Sequence, residues 1–164
     1  MSGFKQLPKS ILKIIHFPPR VAYALGLGPL LGKFVLLLIT IGRTSGKKRV
    51  TPLQYEEING RIYLGSALGR KSDWVRNILV NPVVDVQMKS TKFSGKAVVI
   101  EDPEQIIDFL MIRFERHPRM IGRILRTEGI SLPPTPKDLK DYAKGMAMVA
   151  IDPNIPSVHH GSPS

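Results

Sequence analysis

Between residues 42 and 52 the chain reads GRTSGKKRVTP. Gly42 and Gly46 bracket a turn tight enough to bring backbone N–H groups close to an anion. Arg43, Lys47, Lys48 and Arg49 add positive charge with no acid among them, and Thr44 and Ser45 add hydroxyl donors. Arginine suits phosphate because its planar fork grips two oxygens at once. The spacing is not GxxxxGK[ST], no helix signal follows, and GxGxxG is absent, so this is neither a Walker loop nor a dinucleotide fingerprint. Taken alone the segment suits a solvated turn, a nucleic-acid patch or a cradle for a small anion. The solvated turn is the plainest of the three.

A second constellation, SALGRKSDWVRN, covers residues 66 to 77. Ser66 ends a strand pattern, Gly69 frees the backbone, and Ser72 is placed to cap a helix whose first turn carries Trp74. Asn77 lies one turn further on the same side. A helix N-terminus offers free N–H donors and the positive dipole end, which suits an anionic or carbonyl-rich ligand. A lone tryptophan on an apolar helix face is more commonly core. Both loops follow strands, so one curled sheet can open them on the same side.

Other polar residues carry less. His16, His117, His159 and His160 show no metal spacing, and no metal site is expected. Asp102, Glu104 and Asp108 read as helix-start acids, and Met146 and Met148 as core. The segment RFERHPRMIGRILR, residues 113 to 126, is the strongest rival site. It reads as a solvated basic helix, or as a surface that meets an anionic membrane or flanks the entry of a lipophilic substrate.

The elements that hold these residues follow from periodicity and turn chemistry. Residues 34–40 form an apolar run suited to a strand buried on both faces, and SGKK turns the chain into a strand over 50–58. Asn59-Gly60 is a type I′ hairpin signal, with 61–67 as the returning strand. A helix is predicted over 73–80, ended by Asn81-Pro82, then strands over 83–88 and 93–100. Asp102-Pro103 opens a helix with Gln105 in capping-box position, followed by short helices over 119–126 and 137–144 and a strand over 146–151. Short turns between consecutive strands mean antiparallel pairing. The fold class is therefore α+β, mostly β: a small barrel of about six antiparallel strands with flanking helices.

The chain has 164 residues, a net charge of +11 and no cysteine. That length suits one domain, and the charge favours an anionic partner. Without cysteine there are no disulfides, thiolate nucleophiles or Cys-ligated metals, and a reducing cytoplasmic location is expected. Residues 11–41 are apolar-rich, yet charges, prolines and glycines interrupt them short of a spanning helix. A first helix over 8–17 and a second over 20–25 form an N-terminal segment, 1–32, that packs on the barrel. Peripheral membrane contact is the alternative for its Lys5, Lys9 and Lys13 face. The barrel domain is assigned to 33–152 and a disordered tail to 153–164.

GRTSGKKRVTPLQY, followed past the Asn-Gly turn by SALGRKSDWVRNILVNPVVDVQM, resembles the deazaflavin-dependent nitroreductase and quinone reductase family. These are split β-barrel enzymes that use coenzyme F420, and the resemblance covers about residues 34 to 100. It implies that Arg43, Ser45, Gly46 and Arg49 hold the cofactor's phosphate and the start of its glutamate tail. Thr44 stands where relatives carry Lys or Arg, which passes that charge to Lys47 or Lys48. Leu53 and Gln54, after Pro52, line the ring, and the backbone of Ser66, Ala67, Leu68 and Gly69 bonds it. Trp74 and Asn77 frame the pocket, and Tyr142 corresponds to a substrate-side tyrosine. The implied reaction passes a hydride from reduced F420 to a small lipophilic acceptor, a quinone or nitro compound. PPTPKDLKDY lacks the further tyrosines of nitroimidazole-reducing members, which favours a quinone. The alternatives are a non-catalytic F420 or flavin carrier and an FMN enzyme on the same barrel. No nucleic-acid partner is expected, and a homodimer is compatible.

Overall fold

The protein is described here by a computed structural model covering residues 35–89 and 91–153. The N-terminal helices expected over 8–17 and 20–25 lie outside those residues, as does the tail beyond Pro153. The chain forms β1 (Val35–Ile41), β2 (Lys48–Gln54), β3 (Glu56–Ile58), β4 (Arg61–Ser66), a 3-10 turn (Gly69–Lys71), α1 (Asp73–Val80), β5 (Val83–Met88), β6 (Thr91–Ile100), α2 (Pro103–Arg116), α3 (Pro118–Thr127), α4 (Pro136–Lys144) and β7 (Ala147–Pro153).

All seven strands join one antiparallel sheet in the order β2-β1-β5-β6-β7-β4-β3. The two edge strands, β2 and β3, are separated in sequence by Tyr55 alone. The sheet must therefore curl until its edges meet, which is the geometry of a split barrel. The strand predicted over 50–58 is this bent segment: its first part pairs with β1 and its second with β4. Six expected strands become seven because that one changes partner midway. At its far end Asn59 and Gly60 take φ values of 51° and 78°, the two positive angles a type I′ turn requires.

Alternation on the strands builds two cores. Leu36 and Leu38 of β1, Ile62 and Leu64 of β4, Val84 and Val86 of β5, and Val149 and Ile151 of β7 form the first. Trp74, Val75 and Ile78 of α1 pack into it. The second lies on the opposite face, where Met148 meets Ile106, Phe109 and Leu110 of α2, Ile121 and Leu125 of α3, and Leu139 and Ala143 of α4. With both faces covered, Ala147 through Ile151 are all buried. Each wholly buried aliphatic side chain, such as Leu64, contributes about 1.5–3 kcal/mol through removal from water.

Two expected helix caps form differently. Ser72 occupies the N-cap of α1 but makes no side-chain cap bond, because its Oγ lies 2.7 Å from Ser66 Oγ. Asp102 likewise precedes α2 without a side-chain cap, so the box predicted with Gln105 is not formed. A complete capping box appears instead at α4, where Thr135 and Asp138 exchange bonds of 3.3 and 2.9 Å.

Candidate active site

The cationic turn is built by its own backbone. Gly42 N–H donates to the Lys47 carbonyl and Gly46 N–H to the Gly42 carbonyl, both at 2.8 Å. Gly46 has φ of 66°, a conformation that favours glycine. Ser45 Oγ accepts from Lys47 N–H at 3.2 Å and lies where a Cβ on residue 42 would stand. The sequence needs both glycines for this shape.

The turn is fastened to α1 through Asn77, which is 4% exposed. Asn77 Oδ1 accepts from the Arg43 backbone N–H and from its Nη1, each at 3.1 Å. Asn77 Nδ2 donates to Thr40 Oγ1 at 3.2 Å, on a residue with no exposed surface. Arg43 Nη2 also reaches Asp73 Oδ1 at 2.9 Å. Two of the four cations are thus answered, since Lys48 lies 3.5 Å from Asp85 across exposed surface. Lys47 and Arg49 have no hydrogen-bond or ion-pair partner for their side chains among the described residues, and both are exposed.

The second loop is equally defined. Ser66, 4% exposed, donates from Oγ to the Gly69 carbonyl at 3.2 Å, closing the Ser66–Gly69 turn. Gly69 has φ of 55°, and a Cβ there would stand 2.8 Å from the Gly145 carbonyl. This close approach sets the turn against the end of α4, the helix that carries Tyr142. Ala67 and Leu68 remain exposed, Leu68 at 55%. Trp74 packs in the first core at 8% exposure.

Gln54, half-buried at the end of β2, accepts from Arg113 Nη2 at 2.9 Å through Oε1 and donates from Nε2 to Met120 Sδ at 3.5 Å. Pro52 and Leu53 precede it, also half-buried. Arg113 leads to a group that sequence reasoning missed. Its side chain is 12% exposed and lies 3.4 Å from Glu56, which is 5% exposed. Arg116 and His117 Nε2 approach the same carboxylate at 3.2 and 3.1 Å. Burial lowers the Arg113 pKa, opposed by Glu56. The signal was in α2: Ile106, Leu110 and Arg113 share the apolar stripe at i, i+4 and i+7. An arginine in such a stripe needs a buried partner.

Tyr142 packs at the border of the second core. Burial, helped by Glu128, raises its hydroxyl pKa above 10.0, with Arg113 pulling the other way. Its phenol therefore keeps its proton at neutral pH. Among the described residues no three His, Asp or Glu side chains are grouped to hold a metal.

A curled antiparallel barrel with a clamped cationic turn and a Ser-Gly turn, and with no nucleophile–base pair among the described residues, is the class of small barrel that can hold a redox cofactor and leave the chemistry to it. Residues 22–119 match the model of the F420H(2)-dependent quinone reductase family, more than half of the chain, and the protein belongs to that family. It is an F420-dependent oxidoreductase on a split barrel, with coenzyme F420 as cofactor. Lys47 and Arg49, unpaired among the described residues and set beside glycine-shaped backbone, suit the phosphate of that group chemically.

Solved structures share the fold. Rv2991, a conserved hypothetical protein from Mycobacterium tuberculosis, is 20% identical over 81% of this chain and 80% of that one, with a TM-score of 0.53. A protein described as a domain-swapped dimer is 21% identical, covering 82% and 95%, with a TM-score of 0.53. HutZ, the haem storage protein from Vibrio cholerae, is 14% identical, covering 84% and 89%, with a TM-score of 0.52.

Proposed function

We propose that this oxidoreductase reduces a small lipophilic acceptor, with a quinone ahead of a nitro compound. Bound reduced F420 supplies the hydride, and the residues of this chain bind, orient and manage charge. Arg49 and Lys47 take the phosphate, supported by Ser45 and the Gly46 backbone, with Lys48 and Thr44 at the rim. Arg43 acts mainly through the turn it shares with Asn77. Leu53, Gln54 and the Ser66–Gly69 backbone bear on the ring, and the exposed Leu68 covers one side of it. Tyr142 faces the acceptor and donates the proton that completes its reduction, the resulting phenolate being reprotonated from solvent. The positive charge of Arg113 favours that brief negative charge.

The observation that carries this reading is the clamped turn: a rigid cradle with two cations left unanswered among the described residues. The acceptor class rests on the family match over 22–119, and pairing of two copies on the neighbour described as a domain-swapped dimer. A cytoplasmic location is proposed from the absence of cysteine. The test follows loss of reduced F420 absorbance with a naphthoquinone, with a nitroimidazole and with no acceptor. Quinone turnover well above both others supports the proposal. Tight F420 binding without turnover of any acceptor would make the protein a carrier.

A further inference from the structure

The basic segment singled out in the sequence folds into α3, and its cations are not absorbed by the site above. Arg119, Arg123 and Arg126 are exposed at i, i+4 and i+7, one face of the helix. None of their side chains makes a hydrogen bond or ion pair with a described residue, and α3 itself contains no acid; Glu128 is the first, just past its end. The three line a surface cavity of about 290 Å³ together with Pro118, Gly122 and Leu132. Its floor is apolar, because Gly122 lets Leu132 close in: a Cβ there would stand 3.0 Å from Leu132 Cδ1. The opposite side of α3 buries Ile121 and Leu125 in the second core. Between the two faces, Met120 accepts from Gln54, so the arginine-bearing helix touches the residue at the ring side of the site.

We propose that this face of α3 docks on an anionic phospholipid surface, headgroup phosphates meeting Arg119, Arg123 and Arg126 and the upper part of an acyl chain lying over Leu132. The row of arginines extends about 10 Å at 1.5 Å rise per residue, which matches an array of phosphates better than one small anion. An aliphatic floor and a helix without any aromatic side chain favour lipid over the base stacking of single-stranded nucleic acid. Docking here sets the Gln54 side of the site toward the phase in which a lipophilic acceptor dissolves. That purpose rests on the acceptor proposed above, whereas the surface itself does not. No described helix is long and apolar enough to cross a membrane, and none is needed for contact of this kind.

The test is co-sedimentation of the full chain, without cofactor or acceptor, with vesicles of phosphatidylcholine alone or mixed with phosphatidylglycerol. Binding is expected to the mixed vesicles only, and to fall with added salt. Combined Arg119→Gln, Arg123→Gln and Arg126→Gln substitution should weaken it roughly a hundredfold, about fivefold per cation near an anionic surface. Melting temperature and turnover of a water-soluble quinone should stay unchanged. Because no acceptor is present, failure of the quinone reading leaves the vesicle result intact. Equal binding to neutral vesicles, or binding unaltered in the triple variant, overturns the proposal. So does absence of vesicle binding beside oligonucleotide binding that the variant loses.

Discussion

Asn77 accepts two hydrogen bonds from Arg43, one from its backbone and one from its side chain, both at 3.1 Å, across 34 residues of sequence. Its amide nitrogen spends its own bond on Thr40, at the end of the strand that leads into the turn. One buried amide therefore joins strand, turn and helix. The cationic turn is consequently a preformed feature whose shape does not wait for a ligand.

Replacing Asn77 by Ala should remove that joint and leave Thr40 and the Arg43 backbone without their partner. A loss of about 1–3 kcal/mol is expected for orphaned buried groups, read as a lower urea midpoint. F420 affinity should fall with it, since the turn loses its fixed position. A variant with unaltered stability would mean that water replaces the amide without cost.

The Glu56 cluster should matter more for stability than for chemistry. Glu56→Ala leaves Arg113, 12% exposed, without its carboxylate. Breaking one side of a buried pair costs about 3–5 kcal/mol. Urea denaturation should show a large drop in midpoint, and Gln54 should lose the support that Arg113 receives from Glu56. A small drop would place Arg113 in water rather than in the protein.

Gly69→Ala tests the contact between the Ser66–Gly69 turn and the end of α4. A left-handed conformation costs an alanine about 1–2 kcal/mol, and the added Cβ would meet the Gly145 carbonyl at 2.8 Å. The turn must shift, so both melting temperature and ring-side affinity should fall. Gly46→Ala, with open space around its Cβ, should show the conformational cost alone.

Tyr142 predicts a pH dependence with a definite sign. Burial raises its folded pKa above its ordinary 10.0, so the folded state holds the proton more tightly than the unfolded chain. The corresponding stability is complete below pH 10 and is lost as pH rises through the folded value. Tyr142→Phe should remove that part of the alkaline decline, measured by urea midpoints on either side of pH 10. The same variant should slow acceptor turnover at neutral pH while leaving F420 binding intact.

Much of this was legible because it is local. Asn59-Gly60 allows few backbones other than a hairpin, and the pattern from Asp73 to Val80, stopped by Asn81-Pro82, gave α1 its bounds. The bend at Tyr55 was not legible, since nothing in residues 48–58 marks where the strand changes partner. Ser72 misled for a similar reason: capping propensity sees the helix start but not Ser66 across the turn. The bonds of Arg43 to Asn77 and Asp73 were not legible, because each spans 30 residues or more. The Glu56–Arg113 pair, separated by 57 residues, left only an arginine on an apolar stripe as its trace.

The central proposal is that the turn at residues 42–49 is a cradle whose Lys47 and Arg49, unanswered among the described residues, bind the phosphate of F420. Calorimetric titration of wild type and Arg49→Ala with oxidised F420 and with FMN tests it most directly. The account predicts preference for F420 over FMN and a loss in the variant of about 1.5–3 kcal/mol, the worth of a charged hydrogen bond, with melting temperature unchanged. Equal F420 affinity in wild type and variant, or tighter binding of FMN, would contradict it and return GRTSGKKRVTP to a solvated turn.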